Sequence, residues 1–263
     1  MKLVVVTQHD PVYIRTFFLE FLSCIRGSDW IRLEKIVINR TFRTESKWAL
    51  FRKIYPLYGI KGCAILGANY AFQKIWSSLP GSVRGKRLLY LEDAERVMGI
   101  PVTREDDVNG AEFLRSLREI SPDVVLSISA AQIFRKELLD LPRLGCVNIH
   151  CGKLPEYRGM LPSFWQMYNG EDKITITVHS MGEKIDEGEI LLEDSIPIRK
   201  GKTLDFHMRE AKKRSAQIVF TALRALDRGE SKPRPVTKEK AAYFSFPGAV
   251  AATEFRRRGL EVI

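Results

Sequence analysis

The first forty residues constrain the fold most. "KLVVVT" (Lys2–Thr7) puts Leu3, Val4, Val5 and Val6 in one unbroken apolar run. Such a run leaves no polar face for water, and it suits a strand covered on both sides of its sheet. "VYIRTFFLEFLSCIR" follows, with Ile14, Phe17, Phe18, Phe21, Leu22 and Ile25 spaced as one face of a helix, and Gly27 placed to end it. "LEKIVI" (33–38) reads as a second buried strand. Strand, helix and strand in this order pair the two strands in parallel through a right-handed crossover.

The pattern continues downstream. "PVTREDDVNGAEFLRSLREI" reads as a turn and then a helix, with Phe113, Leu114, Leu117 and Ile120 as its apolar face and Asn109 as its expected N-cap. "PDVVLSIS" is another buried strand, and "IFRKELLDL" holds a short helix. "ITITVHSM" and "GEILLEDSIPI" are strands joined through a turn over 182–188. "TLDFHMREAKKRSAQIVFTALRAL" is a long helix with a basic outer face, and Pro247 marks the start of a short last helix. The expected class is α/β: a Rossmann-like, mostly parallel twisted sheet flanked by helices. The 263 residues fit one such domain over 1–235 and a short C-terminal appendix over 236–263. Segment 48–79, "WALFRKIYPLYGIKGCAILGANYAFQKIWSSL", fits least well. It reads as two amphipathic helices broken at Pro56 and 59–62, either packed on the core or laid on a membrane surface.

Charge narrows the partners. The chain carries +10 at neutral pH, and residues 31–90 hold twelve basic side chains against two acidic ones, which is the whole excess. A local field of this sign favours an anionic partner (a phosphorylated substrate, RNA or an anionic membrane surface), beside the plain reading of a solvated face. No run of about 20 apolar residues is present, so no transmembrane helix is expected. The start "MKLVVVTQHDP" has too short an apolar run for a signal peptide, and cytoplasmic location is the expectation. Cys24, Cys63, Cys146 and Cys151 lack zinc-ligand spacing, so no metal is expected. The first strand-to-helix turn, "TQHDPVYIR", contains no glycine, which argues against a dinucleotide whose pyrophosphate must approach the backbone.

The chemistry concentrates in "CVNIHCGKLPEYRGMLP" (146–162). On a strand, Asn148 and His150 project to one face, while Val147 and Ile149 project to the other. Cys151 falls opposite His150, so a Cys–His nucleophilic pair is poorly placed. An imidazole at a strand end can relay a proton near neutral pH. A carboxamide beside it can donate to a carbonyl oxygen as that oxygen gains charge. "KIDEGEI" offers Asp186 to orient the histidine. The three suit acyl transfer to an amine without a side-chain nucleophile. Taken singly, each has a blander reading: a capping Asn, a core His, a turn Asp.

"LPRLGCVNIHCGKLPEYRGMLPSFW" and "TITVHSMGEKIDEGEILLEDSIPI" together resemble the core of the N10-formyltetrahydrofolate-dependent formyltransferases. That superfamily includes the methionyl-tRNA, glycinamide ribonucleotide and sugar N-formyltransferases. Its signature is Asn-x-His, Leu-Pro, Arg-Gly and, about thirty residues later, Asp-x-Gly. Here these are Asn148 and His150, Leu154-Pro155, Arg158-Gly159, and Asp186 with Gly188. The resemblance covers roughly 122–235, and the first ninety residues share only the βαβ character.

The resemblance implies an enzyme that takes a formyl group from N10-formyltetrahydrofolate. Asn148 polarises the formyl oxygen, His150 assists proton transfer, and Asp186 tunes the histidine and helps move the proton. It also implies a folate pocket at Ala131, Gln132, Ile133 and Phe134, and at Glu183, Lys184 and Ile185. On the acceptor side Lys153, Arg158 and Gly159 are candidates, with loop bracing an equal reading for Arg158. Two positions depart from many relatives: Gly152 stands where they have Ser, opening space beside the site, and Lys153 where they have Leu. Only 28 residues follow Pro235, too few for the C-terminal barrel of the tRNA enzymes. The expected acceptor is therefore an anionic small-molecule amine, a nucleotide-linked amino sugar, ahead of methionyl-tRNA or another small amine. A folate-binding or membrane-surface module without activity is the non-enzyme alternative. Peripheral membrane contact and a homodimer stay open.

Overall fold

The computed structural model describes residues 1–39, 47–237 and 239–263. Of the basic segment, Arg40, Arg43 and Glu45 lie outside the described residues. In chain order the elements begin β1 (Lys2–Thr7), α1 (Tyr13–Ile25), β2 (Arg32–Asn39), α2 (Lys47–Ser78), α3 (Gly81–Arg84) and α4 (Asp93–Met98). Next come β3 (Val102–Glu105), α5 (Ala111–Ile120), β4 (Val124–Ile128), α6 (Lys136–Leu139), β5 (Cys146–His150) and β6 (Arg158–Gly159). The last are α7 (Pro162–Tyr168), β7 (Lys173–Ser180), β8 (Ile190–Pro197), α8 (Leu204–Asp227), β9 (Tyr243–Phe244) and α9 (Ala249–Arg257).

Seven strands form one sheet in the order β3-β2-β1-β4-β5-β7-β8. The pairs from β3 to β5 are parallel, and β7 and β8 extend the sheet antiparallel. The apolar run of β1 explains its central place. Leu3 and Val5 face the core under α1 and α8, while Val4 and Val6 face α5. The strand order reverses between β1 and β4, so the loops leaving these two strands diverge to opposite faces. Open sheets of this kind bind ligands at that crevice.

Three expectations need correction or refinement. Val102–Glu105 is an edge strand, where the sequence reads as a turn; its Arg104 and Glu105 hide the alternation. Asn109 does not cap α5, whose N-cap is Gly110 without a side-chain hydrogen bond. Its amide instead donates to Ile133 O and accepts from Arg135 N, pinning the loop after β4. α2 does break within the expected stretch, at Gly59 with φ of 62°. The carbonyls of Pro56 and Leu57, freed by that break, accept from the Arg256 guanidinium of α9 at 2.7 Å.

Segment 236–263 is packed into the same body. β9 pairs with β6, and Phe255 of α9 stacks on Phe164 of α7 with ring centroids 4.6 Å apart. Both phenylalanines are fully buried.

Candidate active site

β5 and β7 run antiparallel with Asn148 opposite His179 and His150 opposite Thr177. Strand alternation therefore puts Asn148, His150 and His179 on one surface. Asn148 Nδ2 donates to His179 Nε2 at 3.0 Å, and His179 Nδ1 donates to Ser180 O at 2.8 Å. The two bonds require one tautomer and one amide orientation: the proton sits on Nδ1, and Asn148 presents its NH₂. Burial pushes the His179 pKa down, Asp186 opposing, so the ring is neutral.

Asp186 reaches the pair from the loop between β7 and β8. It adopts the left-handed region, φ 55°, and is buried. Its Oδ2 accepts from Gly159 N at 3.1 Å and lies 3.9 Å from His150 Nδ1; its Oδ1 lies 3.6 Å from His179 Nε2. His150 Nε2 donates to Tyr157 O at 2.6 Å, which leaves Nδ1 as the basic nitrogen on the Asp186 side. The glycines of the signature have a steric cause. A Cβ on Gly188 would stand 1.7 Å from Ser180 O, and one on Gly159, at φ 97°, 2.3 Å from Phe244 O. Each loop carrying a functional group is thus pressed directly onto a neighbouring strand.

A cleft of about 660 Å³ opens over this cluster. That volume is within the ordinary range for a small-molecule site. Of the seven positions expected at the folate pocket, Ala131, Gln132, Ile133, Phe134, Lys184 and Ile185 line one arm of the cleft, and Glu183 does not. The arm is held by backbone–side-chain bonds: Ala131 N donates to Asn39 Oδ1, and the Gln132 side chain accepts from Val108 N through Oε1. Phe134 itself is an anchor, buried with Leu138 in the core, while Ile133 is exposed at the rim.

The expected acceptor residues divide. Gly159 lines the cleft; Lys153 and Arg158 do not. Lys153 Nζ pairs with Glu156 at 2.8 Å on the exposed side of its loop. Arg158 Nη1 donates to Glu187 Oε1 at 2.7 Å and ties its loop to the Asp186 turn. Gly152 adds no room: a Cβ there would stand 2.7 Å from Pro162 Cβ and 2.8 Å from His150 Nε2. Cys151 turns away into the core, with Sγ 3.5 Å from Ser215 Oγ.

The second arm escaped the sequence reading. Asp10, Tyr13, Tyr58, Lys212, Tyr243 and Phe246 line it, drawn from four separated parts of the chain. Tyr13 donates to Asp205 Oδ1 at 3.0 Å, and burial raises its pKa. Lys212 Nζ donates to Ser129 Oγ at 3.3 Å at the end of β4. His179 was also missed. In "ITITVHSM" it falls with Thr175 and Thr177 on the polar face of an alternating strand, with no signal of its own.

Residues 86–223 match the formyl transferase family model, which is more than half of the chain. The chain belongs to the formyl transferase family. Asn148, His150, His179 and Asp186 all fall inside the match, and α2 falls outside it. Among curated relatives, the methionyl-tRNA formyltransferase of Pelobacter propionicus is 34% identical over 145 residues, 55% of this chain and 45% of that one. That of Moorella thermoacetica is 35% identical over 141 residues, 52% and 45% of the two chains. The chain spans about half the length of the curated relatives it matches. Among solved structures, a sugar N-formyltransferase from a Shewanella species has a TM-score of 0.57 at 19% identity, covering 93% of this chain and 76% of that one. Glycinamide ribonucleotide transformylase 1 from Symbiobacterium toebii has a TM-score of 0.59 at 16% identity, covering 90% and 94%. At these identities the likeness is one of fold.

Proposed function

We propose that this formyl transferase family chain moves a formyl group from N10-formyltetrahydrofolate to a primary amine, and that the amine belongs to a nucleotide-linked sugar. The observation that carries the reading is the convergence of Asn148, His150 and Asp186 on one cleft with an arm on either side. The donor supplies a formyl carbon on a nitrogen that can depart. The first arm, at 131–134 and 184–185, holds the donor, and the second holds the acceptor.

Asn148 uses one amide hydrogen on His179 and directs the other at the formyl oxygen, which gains charge as the amine adds. His179 is then a positioning residue. His150 Nδ1 takes the proton that the amine loses when its new C–N bond forms, and returns it to the nitrogen that leaves. Asp186 stabilises the proton while it resides on the ring. One proton is lost by the amine and one gained by the departing nitrogen, so the exchange balances without a covalent enzyme intermediate.

Lys212 in the second arm, and the excess of basic residues over 31–90, support an anionic acceptor. The names of the curated relatives favour methionyl-tRNA as the second reading. The two are separated by supplying formyltetrahydrofolate with amino-sugar nucleotides in one reaction and with methionyl-tRNA in another. Formyl gain on the tRNA alone would overturn the sugar assignment and leave formyl transfer standing.

A further inference from the structure

α2 holds nine of the large apolar side chains exposed among the described residues, more than all the other elements together. Of the fifteen large apolar side chains exposed among the described residues, ten lie between Trp48 and Val83. The helix touches the body along a narrow seam made by Leu57, Gly62, Gln73 and Trp76, with Trp76 Nε1 donating to Asp93. Its outer face is apolar. Before the Gly59 break, Trp48, Phe51 and Tyr55 recur at helical spacing and pack ring against ring, with centroids 5.6 and 5.2 Å apart. Beyond the break, Ile60, Ala64, Ala68, Ala71 and Ile75 follow one another by three or four residues, and all five are exposed. Trp48 is 66% exposed, Ile60 78% and Ile75 60%. Fifteen helical residues extend about 22 Å, so the stripe is far longer than a scattered surface contact.

Cations flank this stripe. Residues 46–91 contain eight lysines and arginines and no acidic residue. Aliphatic and aromatic groups on one face, with only positive charge beside them, match the chemistry of an anionic lipid surface. Apolar side chains enter the boundary between headgroups and acyl chains, and the cations pair with phosphates. No helix among the described residues is long and apolar enough to cross a membrane, so the mode is lying on the surface.

Other occupants fit less well. A second copy joined across a two-fold axis would bring like-charged faces together. A nucleic acid would use the cations and the rings, but it has no use for exposed Ile60, Ile65 and Ile75. We infer that α2 docks this protein on an anionic bilayer. Tyr58, one residue before the break and packed against the core, lines the second arm of the catalytic cleft, so the docking helix itself reaches that arm.

The test is sedimentation of the full chain with phosphatidylcholine vesicles, with and without phosphatidylglycerol, at about 0.15 M salt. The expected result is binding to the anionic vesicles at least tenfold stronger than to the neutral ones. Each Lys or Arg at such a surface contributes about fivefold in partition. Arg52→Gln, Lys61→Gln and Lys74→Gln together should therefore weaken it by about 10²-fold. Trp48→Ser, Ile60→Ser and Ile75→Ser should abolish it while the melting temperature stays within a few degrees of the parent. All six sites are exposed and outside the catalytic cleft. Equal or absent sedimentation with the two vesicle types overturns the inference. So does a dimer, or a tRNA complex, that the same substitutions dissolve while vesicle binding is unchanged.

Discussion

Replacing Asp186 with Asn removes one charge and little volume. The remaining side-chain oxygen can still accept the Gly159 N–H now held at 3.1 Å, so the turn keeps its hydrogen bond. What disappears is the attraction between the carboxylate and a proton on His150 Nδ1, 3.9 Å away. Two unit charges at that separation attract by roughly 1 kcal/mol in water and about 4 kcal/mol at an effective dielectric of 20. Both side chains are more than nine-tenths buried, which favours the upper part of that range. Since about 1.4 kcal/mol is tenfold in rate, turnover should fall by about 10²- to 10³-fold. The melting temperature should move by only a few degrees. Formyl transfer at saturating substrate and thermal melting are measured on one preparation. Unimpaired turnover with an unchanged melting point would leave Asp186 as turn chemistry and refute the reasoning.

His179→Gln should lower kcat by about tenfold with little change in either KM, because it frees the Asn148 amide without touching substrate; a change confined to KM would remove its positioning role. The depressed His179 pKa makes the unfolded chain bind more protons below the ordinary value of 6.5, so its contribution is full above that pH and is lost as pH falls through the folded value. His207 is depressed by burial in the same direction. Melting temperature should therefore drop as pH falls below about 6.5, and His179→Gln should flatten that slope; an unaltered slope contradicts the assignment. Gly188→Ala should cost about 3 kcal/mol or more in a denaturant titration, since its Cβ would meet the Ser180 carbonyl, and a normal midpoint would show that the loop can shift. Lys153→Ala should leave the acceptor KM within about twofold, as expected for a lysine in an exposed ion pair, while Lys212→Ala should raise it several-fold and less so at high salt; the reverse pattern would place the acceptor along the 152–158 loop.

What could be read in the sequence follows from how local its cause is. β1, α1 and β2 are written as apolar runs and helical spacing that no distant residue has to complete. Asn148 and His150 share a strand, so alternation alone puts them on one face. Asp186 required the family signature, because only folding brings it 3.9 Å from His150. His179 has no signature; its role appears once β7 is seen to lie antiparallel to β5 with Asn148 opposite it. The second arm of the cleft joins Asp10 to Phe246 and has no local trace at all. Lys153 follows His150 closely in sequence but pairs with Glu156 outside the cleft, and Arg158 takes the bracing alternative by pairing with Glu187. Gly152 misled for a related reason: a small residue can mark a tight place as readily as an open one.

Formyl transfer itself is tested most directly by mass spectrometry of amine acceptors incubated with the protein and formyltetrahydrofolate. The account predicts that one amino-sugar nucleotide gains the mass of a single CO in an N-formyl group. It predicts that His150→Ala and Asn148→Ala each slow that gain by about 10²-fold or more at unchanged folding, as for loss of a proton carrier or an oxyanion donor. Gain at the same rate with either substitution, or no gain on any sugar amine or on methionyl-tRNA from a protein that is folded, would contradict it.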